Sequence, residues 1–179
     1  MKNKRILITG GPGSGKSSVI KKLESHGYHC LHEVSREVTA EAKKEGIDQL
    51  FLEDPFLFSF KLLEARVSQH HESKISSENH VFIDRGIPDV LAYMDYFGTD
   101  YPANFEEACR LYKYEKVFLL PPWKEIYIND NERYETFEQA EIIHSYLQKT
   151  YLGLGYEPLE VPKNSIEKRC DFILNNLDV

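Results

Sequence analysis

Gly10, Gly11, Pro12, Gly13, Ser14, Gly15, Lys16 and Ser17 match the pattern GxxxxGK[ST] in full. The chemistry open to such a run is specific. Glycines let the backbone close tightly, so that successive N–H groups point into one concavity and cradle phosphate oxygens. A helix beginning near the lysine adds the partial positive charge of its N-terminus. Lys16 then reaches the β- and γ-phosphates and Ser17 offers its hydroxyl to Mg²⁺, with Ser18 on the same helical turn. The expected ligand is a nucleoside triphosphate, ATP with Mg²⁺. A Gly-rich turn with a chance lysine is the plain alternative. It fits poorly, because an apolar run enters the loop and a helical pattern leaves it.

Other charged residues could complete a site around those phosphates. Asp84 ends the apolar run Val81-Phe82-Ile83 and could hold Mg²⁺, directly or through water; otherwise it caps the helix that follows. Arg85 could clamp a phosphate or acceptor oxygen with its planar fork, or form a surface ion pair with Asp89. Glu33 closes the second apolar run, with Arg36 one helical turn later. Glu33 could take the proton of an attacking hydroxyl, or simply pair with Arg36. Either Glu33 or Asp84 could be the base. Glu33, Arg36, Arg66 and Asp89 are the candidates for the acceptor side. Arg133 lies in a polar segment at about 123–135 that could close as a lid and stabilise transition-state charge; a solvated loop is the alternative.

Bringing these residues together requires alternating strands and helices, the mark of an α/β fold with a mainly parallel sheet. Strands are expected at Ile6–Thr9, Tyr28–Leu31, Val81–Asp84, Lys116–Leu120 and Tyr156–Val161. Helices are expected from about Lys16 to His26, Val34 to Lys44, Pro55 to Ile75, Asp89 to Phe97, Phe105 to Leu111, Thr136 to Tyr151 and Ser165 to Leu177. Thr136 with Gln139 reads as a capping box. Phe56, Phe58, Phe60, Leu62 and Leu63 read as core. No linker or repeat divides residues 1–179, so one domain is expected.

The net charge of −7 argues against broad binding to nucleic acid, which needs a basic face. No apolar stretch approaches the length of a membrane span. Cys30, Cys109 and Cys170 form no CxxC pair, as in a reduced, cytoplasmic protein. His70, His71 and His80 lack ligand spacing and read as a solvated helix end. Lys168 and Arg169 read as a solvated helix face. There is no NKxD element of a guanine-specific GTPase and no HRD or DFG set of a protein kinase.

Taken with these absences, the sequence resembles the small P-loop ATPase/kinase group known as an AAA domain. It is similar in turn to the ribosylnicotinamide kinase domain of the bacterial NAD-biosynthesis regulator, and more distantly to nucleoside and thymidylate kinases. The residues that carry the resemblance are Ile8 to Ser17, Glu33-Val34-Ser35-Arg36 and Asp84 to Asp89 with Tyr93. They continue through Val117 to Trp123, Asp130 to Arg133, and Gly155 to Pro162 with Arg169. The resemblance implies a P-loop NTPase three-layer sandwich, with five parallel strands in the order 2-3-1-4-5 and helices on both faces. It also implies ATP on the loop, Ser17 and Asp84 near Mg²⁺, Arg133 in a lid, and Glu33 and Arg85 toward the acceptor. Nucleoside kinases usually carry Glu-Pro and Glu-Arg-Ser, where this chain has Glu33-Val34 and Asp84-Arg85-Gly86. The expected activity is transfer of the γ-phosphoryl of MgATP to a hydroxyl of a small, nucleoside-like molecule. The alternative is a nucleotide-dependent ATPase or switch acting on a protein partner.

Overall fold

Ile6-Leu7-Ile8, Val81-Phe82-Ile83 and Val117 to Leu120 are apolar at every position because both faces of their strands are covered. A computed structural model describes residues 3–76, 78–127 and 135–177. Its strands are β1 (Lys4–Gly10), β2 (His29–Leu31), β3 (His80–Asp84), β4 (Lys116–Leu120) and β5 (Leu159–Glu160). They form one parallel sheet in the order β2-β3-β1-β4-β5. The helices are α1 (Lys16–Ser25), α2 (Ser35–Lys44), α3 (Leu50–Glu53), α4 (Pro55–Ile75), α5 (Ile87–Phe97), α6 (Ala103–Leu111), α7 (Phe137–Gly153) and α8 (Ile166–Asn175).

Strand alternation sorts the side chains into layers. Ile6, Ile8, Phe82, Phe118 and Leu120 pack with α1 and α8. Leu7, Val81, Ile83, Val117 and Leu119 pack with α5 and α7. A third cluster joins α2, α3, α4 and α6 to the outer side of α5. Fully burying Ile6, Leu7 and Ile8 contributes roughly 1.5–3 kcal/mol each, which seats β1 at the centre of the sheet. The loop at its end therefore opens over the middle of the crevice, where the strand order reverses. Asp84 pairs in register with Ile8, so the acidic end of β3 arrives beside that loop.

Local signals set most boundaries. Asp54 accepts from the Leu57 amide at 2.9 Å and Pro55 opens α4. Thr136 and Gln139 exchange bonds of 3.2 and 2.7 Å at the start of α7. The structure differs from expectation in three places. β5 covers only Leu159–Glu160, because Pro158 and Pro162 lack the N–H a longer ladder needs. The short helix α3 was not foreseen, and residues 124–126 form a single 3-10 turn. Among the described residues, no helix is long and apolar enough to cross a membrane.

Candidate functional site

The loop from Gly10 to Ser17 folds around the ammonium of its own lysine. Lys16 Nζ donates to the carbonyls of Gly10 and Gly11, both at 2.8 Å, and to Ser14 Oγ at 3.3 Å. Ser14 Oγ in turn donates to Gly11 O at 2.9 Å. The residue before α1, Gly15, has φ 84°, a left-handed conformation that a side chain would strain. Burial pushes the Lys16 pKa down to about 7, aided by the nearby Arg85 guanidinium and opposed by Asp84, Asp89 and Glu33. Ser17 and Ser18 are exposed on the first turn of α1, where amide donors converge.

Asp84 lies beside this loop and is almost wholly buried. Its Oδ1 has no hydrogen-bond partner. Desolvation raises its pKa; Lys16 and Arg85 oppose the rise, and Glu33 and Asp89 add to it. A buried carboxylate oxygen without a donor is suited to a cation, so the residues present fit a Mg²⁺ ion. Among the described residues, no group of three or more His, Cys, Asp or Glu could hold a metal. Phosphate oxygens and water would have to supply the remaining ligands.

Arg85 is the one residue other than glycine with positive φ among the described residues, at 65°. Its amide continues the ladder to Ile8 O at 3.0 Å while its side chain turns along the crevice. There Nε meets Glu33 Oε2 at 2.7 Å, and Nη1 lies 3.6 Å from Asp89 Oδ1 and 3.2 Å from the Tyr93 hydroxyl. Arg66 holds Glu33 from behind, at 3.2 and 3.4 Å, and donates to Gly86 O at 2.8 Å. Burial alone would raise the Glu33 pKa, but Arg66, Arg85 and the Ser35 amide outweigh it and lower it. Burial would likewise lower the pKa of Arg85, yet Tyr93, Glu33, Asp89 and Asp84 raise it. The pair is thus held ionised, and an unusual backbone conformation is stored where it points the guanidinium.

The acceptor-side expectations require revision. Asp89 is 0% exposed, and both its oxygens are used. Thr9 Oγ1 donates to Oδ1 at 2.5 Å; the Tyr151 hydroxyl and the Gly86 amide donate to Oδ2 at 2.5 and 3.0 Å. It ties β1, α5 and α7 together. Arg66, 4% exposed, also supports the site from within. Arg36 is exposed on the first turn of α2, and Glu33 pairs with Arg66 and Arg85 at distances set by the tertiary fold. The alternative reading of Arg85, an ion pair with Asp89, is present at 3.6 Å, but its Asp89 end is buried. Glu33 and Arg85 keep partial exposure, at 22% and 15% of their side chains.

Elsewhere, Arg169 is not on a solvated face. It is 3% exposed, and its Nη2 donates to Ser14 O at 2.6 Å. A sequence signal existed: Ile166, Cys170, Ile173 and Leu177 form a helical stripe, and Arg169 falls within it. The 3-10 turn of residues 124–126 and Tyr127 also pack on the loop. The Tyr127 ring occupies the space of a side chain at Gly13, and Ile126 Cδ1 lies 3.2 Å from a Cβ at Gly15. A cavity of about 310 Å³ lies here, lined in part by Gly13, Ser18, Trp123, Asn164 and Arg169. The first residues of the segment expected as a lid therefore pack against the phosphate loop, whereas Asp130 and Arg133 lie outside the described residues. His70 is not solvated either. It is 2% exposed, with Nε2 3.0 Å from Lys113 O. Phe56, expected in the core, is 43% exposed on the first turn of α4.

A strand, a phosphate loop and a helix at the centre of a 2-3-1-4-5 sheet define a P-loop domain of the kinase-like class. The profile of a family described as an AAA domain matches residues 5–169, and the chain belongs to that family. A comparison with curated proteins gives no match. Among solved structures, the fold is similar to that of a deoxyadenosine kinase from M. mycoides. With the products dCMP and a flexible dCDP bound, that protein gives a TM-score of 0.72 at 17% identity, over 97% of this chain and 98% of its own. With dCTP the TM-score is 0.69 at 17% identity and the same coverage. With dATP it is 0.65 at 16% identity, over 99% of this chain and 100% of the other. At such identities the likeness is one of fold.

Proposed function

We propose that the protein is a P-loop kinase that moves the γ-phosphoryl of MgATP to a hydroxyl of a small, nucleoside-like acceptor. The observation that carries this reading is the Glu33–Arg85 pair, partly exposed in the same crevice as Lys16 and the bare oxygen of Asp84. Two guanidiniums hold that carboxylate in a fixed place, where it can accept a hydrogen bond from an acceptor hydroxyl. Kinship of fold with a protein described as a deoxyadenosine kinase supports the choice of a nucleoside-like acceptor.

In this reading the loop amides and Lys16 bind the β- and γ-phosphates, and Arg85 stands over the transferred group. Ser17 and Asp84 would hold Mg²⁺, which neutralises charge on the phosphate oxygens when bound. Glu33 accepts a hydrogen bond from the acceptor hydroxyl and orients it for in-line attack. Its depressed pKa makes it a weak base, which suffices because phosphoryl transfer passes through a loose transition state. The hydroxyl proton passes to Glu33 as the new P–O bond forms, the bond from the γ-phosphorus to the β-phosphate oxygen breaks, and ADP leaves.

The test is a screen of nucleosides and related alcohols with MgATP, following ADP release. At least one compound should raise turnover well above the acceptor-free rate. A flat screen would overturn the kinase reading. Slow ATP hydrolysis stimulated by a protein instead would favour the switch.

A further inference from the structure

Arg169 presents an unexplained cost. It is a buried cation, and among the described residues no carboxylate pairs with it. Its Nε has no hydrogen-bond partner. Burying such a group without a counter-charge costs stability, and the bond it does make offsets part of that cost. That bond runs from Nη2 to Ser14 O, at 2.6 Å, between residues 155 positions apart. The other terminal nitrogen lies 2.7 Å from the place a Cβ on Gly15 would take. Behind the guanidinium stands the Trp123 ring, its centroid 5.9 Å away.

The peptide joining Ser14 to Gly15 is trans and planar, so its C=O and N–H point in opposite directions. A donor that holds the Ser14 carbonyl toward α8 therefore holds the Gly15 amide away from α8. The inward amides of such a loop are the groups that meet phosphate oxygens. We propose that Arg169 is a positioning residue: it fixes the Ser14–Gly15 peptide from outside, so that the Gly15 N–H is aimed at the triphosphate before nucleotide arrives. The proposal rests on the reading of Gly10–Ser17 as a triphosphate site, but not on the identity of any acceptor.

Arg169 also borders the cavity beside Trp123, so a contact with the nucleotide base is the competing role. Inorganic tripolyphosphate, which has no base, separates the two. Affinities of the full-length chain for ATP and for tripolyphosphate, each with Mg²⁺, are measured by calorimetry for wild type, Arg169→Ala and Arg169→Lys. Thermal melting confirms that each variant is folded. Loss of one charge-assisted bond should weaken both ligands about ten- to hundredfold in Arg169→Ala, leaving their ratio unchanged. Arg169→Lys, with one donor group in place of a fork, should fall between; if Arg169→Ala does not fold, this variant carries the comparison. The Gly15 amide resonance should also move in both variants before any ligand is added. Weakening of ATP alone would assign Arg169 to the base, and no weakening of either would leave it no role at the loop; both outcomes overturn the proposal. Wild type that binds tripolyphosphate yet phosphorylates nothing would remove the kinase reading alone. Wild type that binds neither ligand would remove both.

Discussion

Lys16 should take up a proton when ATP binds. Its pKa, pushed down to about 7 by burial, leaves only about a tenth of the ammonium protonated at pH 8. Phosphate oxygens beside it stabilise the charged form, so binding at pH 8 should draw about 0.9 proton from solution, provided the bound pKa exceeds about 10. The sign follows directly. Affinity is fully present below the free-state pKa and declines as pH rises through it. Between pH 8 and pH 9 the dissociation constant should rise about ninefold, since each pH unit costs about 1.36 kcal/mol. The phosphate titrates near pH 6 and does not interfere. Calorimetry at pH 8 in two buffers of different ionisation enthalpy counts the protons. Tight binding with no uptake would mean that Lys16 is already charged in the free loop, held so by the carbonyls of Gly10 and Gly11. Lys16→Ala should lose both uptake and binding while keeping its circular dichroism spectrum; unchanged ATP affinity in that variant would overturn the assignment of the loop itself.

Three further outcomes concern the scaffold. Gly86→Ala places a methyl 2.9 Å from Leu7 Cδ2 and 3.0 Å from Tyr114 Cε2, so urea unfolding should show a loss of about 1–2 kcal/mol, overpacking outweighing the gain from a stiffer unfolded chain. Equal or higher stability would show that Leu7 and Tyr114 yield freely. Asp89→Ala strips the acceptor from Thr9, Tyr151, Gly86 and Arg85 and should cost about 3–5 kcal/mol, whereas Asp89→Asn should cost clearly less; equal losses would refute the account. Burial lowers the His70 pKa to about 4, and the unfolded chain binds that proton near 6.5. Stability should therefore fall as pH drops from about 6.5 to about 4, and His70→Phe should flatten that slope; parallel pH profiles for the two proteins would exclude His70 as a source.

What the sequence disclosed depended on how far apart the partners lie. The phosphate loop is contiguous, and its strand and helix are adjacent, so composition and order suffice. The Asp84-Arg85 step was legible for the same reason. Caps at Asp54 and Thr136 act within three residues and could be read directly. Glu33 was recognised, but its partners were not. Helical spacing points to Arg36, and the fold brings Arg66 and Arg85 to Glu33 from other elements. Asp89 looked like a ligand because it is charged and near the crevice. Only the tertiary arrangement reveals that Tyr151 and Thr9 already occupy it. Arg169 and His70 were misread as solvated, since the rule that charged or polar residues face water fails where a carbonyl is waiting for a donor.

The charges around the crevice have a kinetic consequence. Arg66, Arg85 and Arg169, with Lys16, stand near Glu33, Asp84 and Asp89, but the chain as a whole carries a net charge of −7. An approaching MgATP anion therefore meets no long-range attractive field, and at distance it is repelled by the protein as a whole. Capture depends on contacts that act only within the loop. Added salt should speed arrival slightly by screening the repulsion, even as it loosens the bound complex. Encounter and retention would then respond to ionic strength in opposite directions, unlike an electrostatically steered site, where salt slows the one and weakens the other.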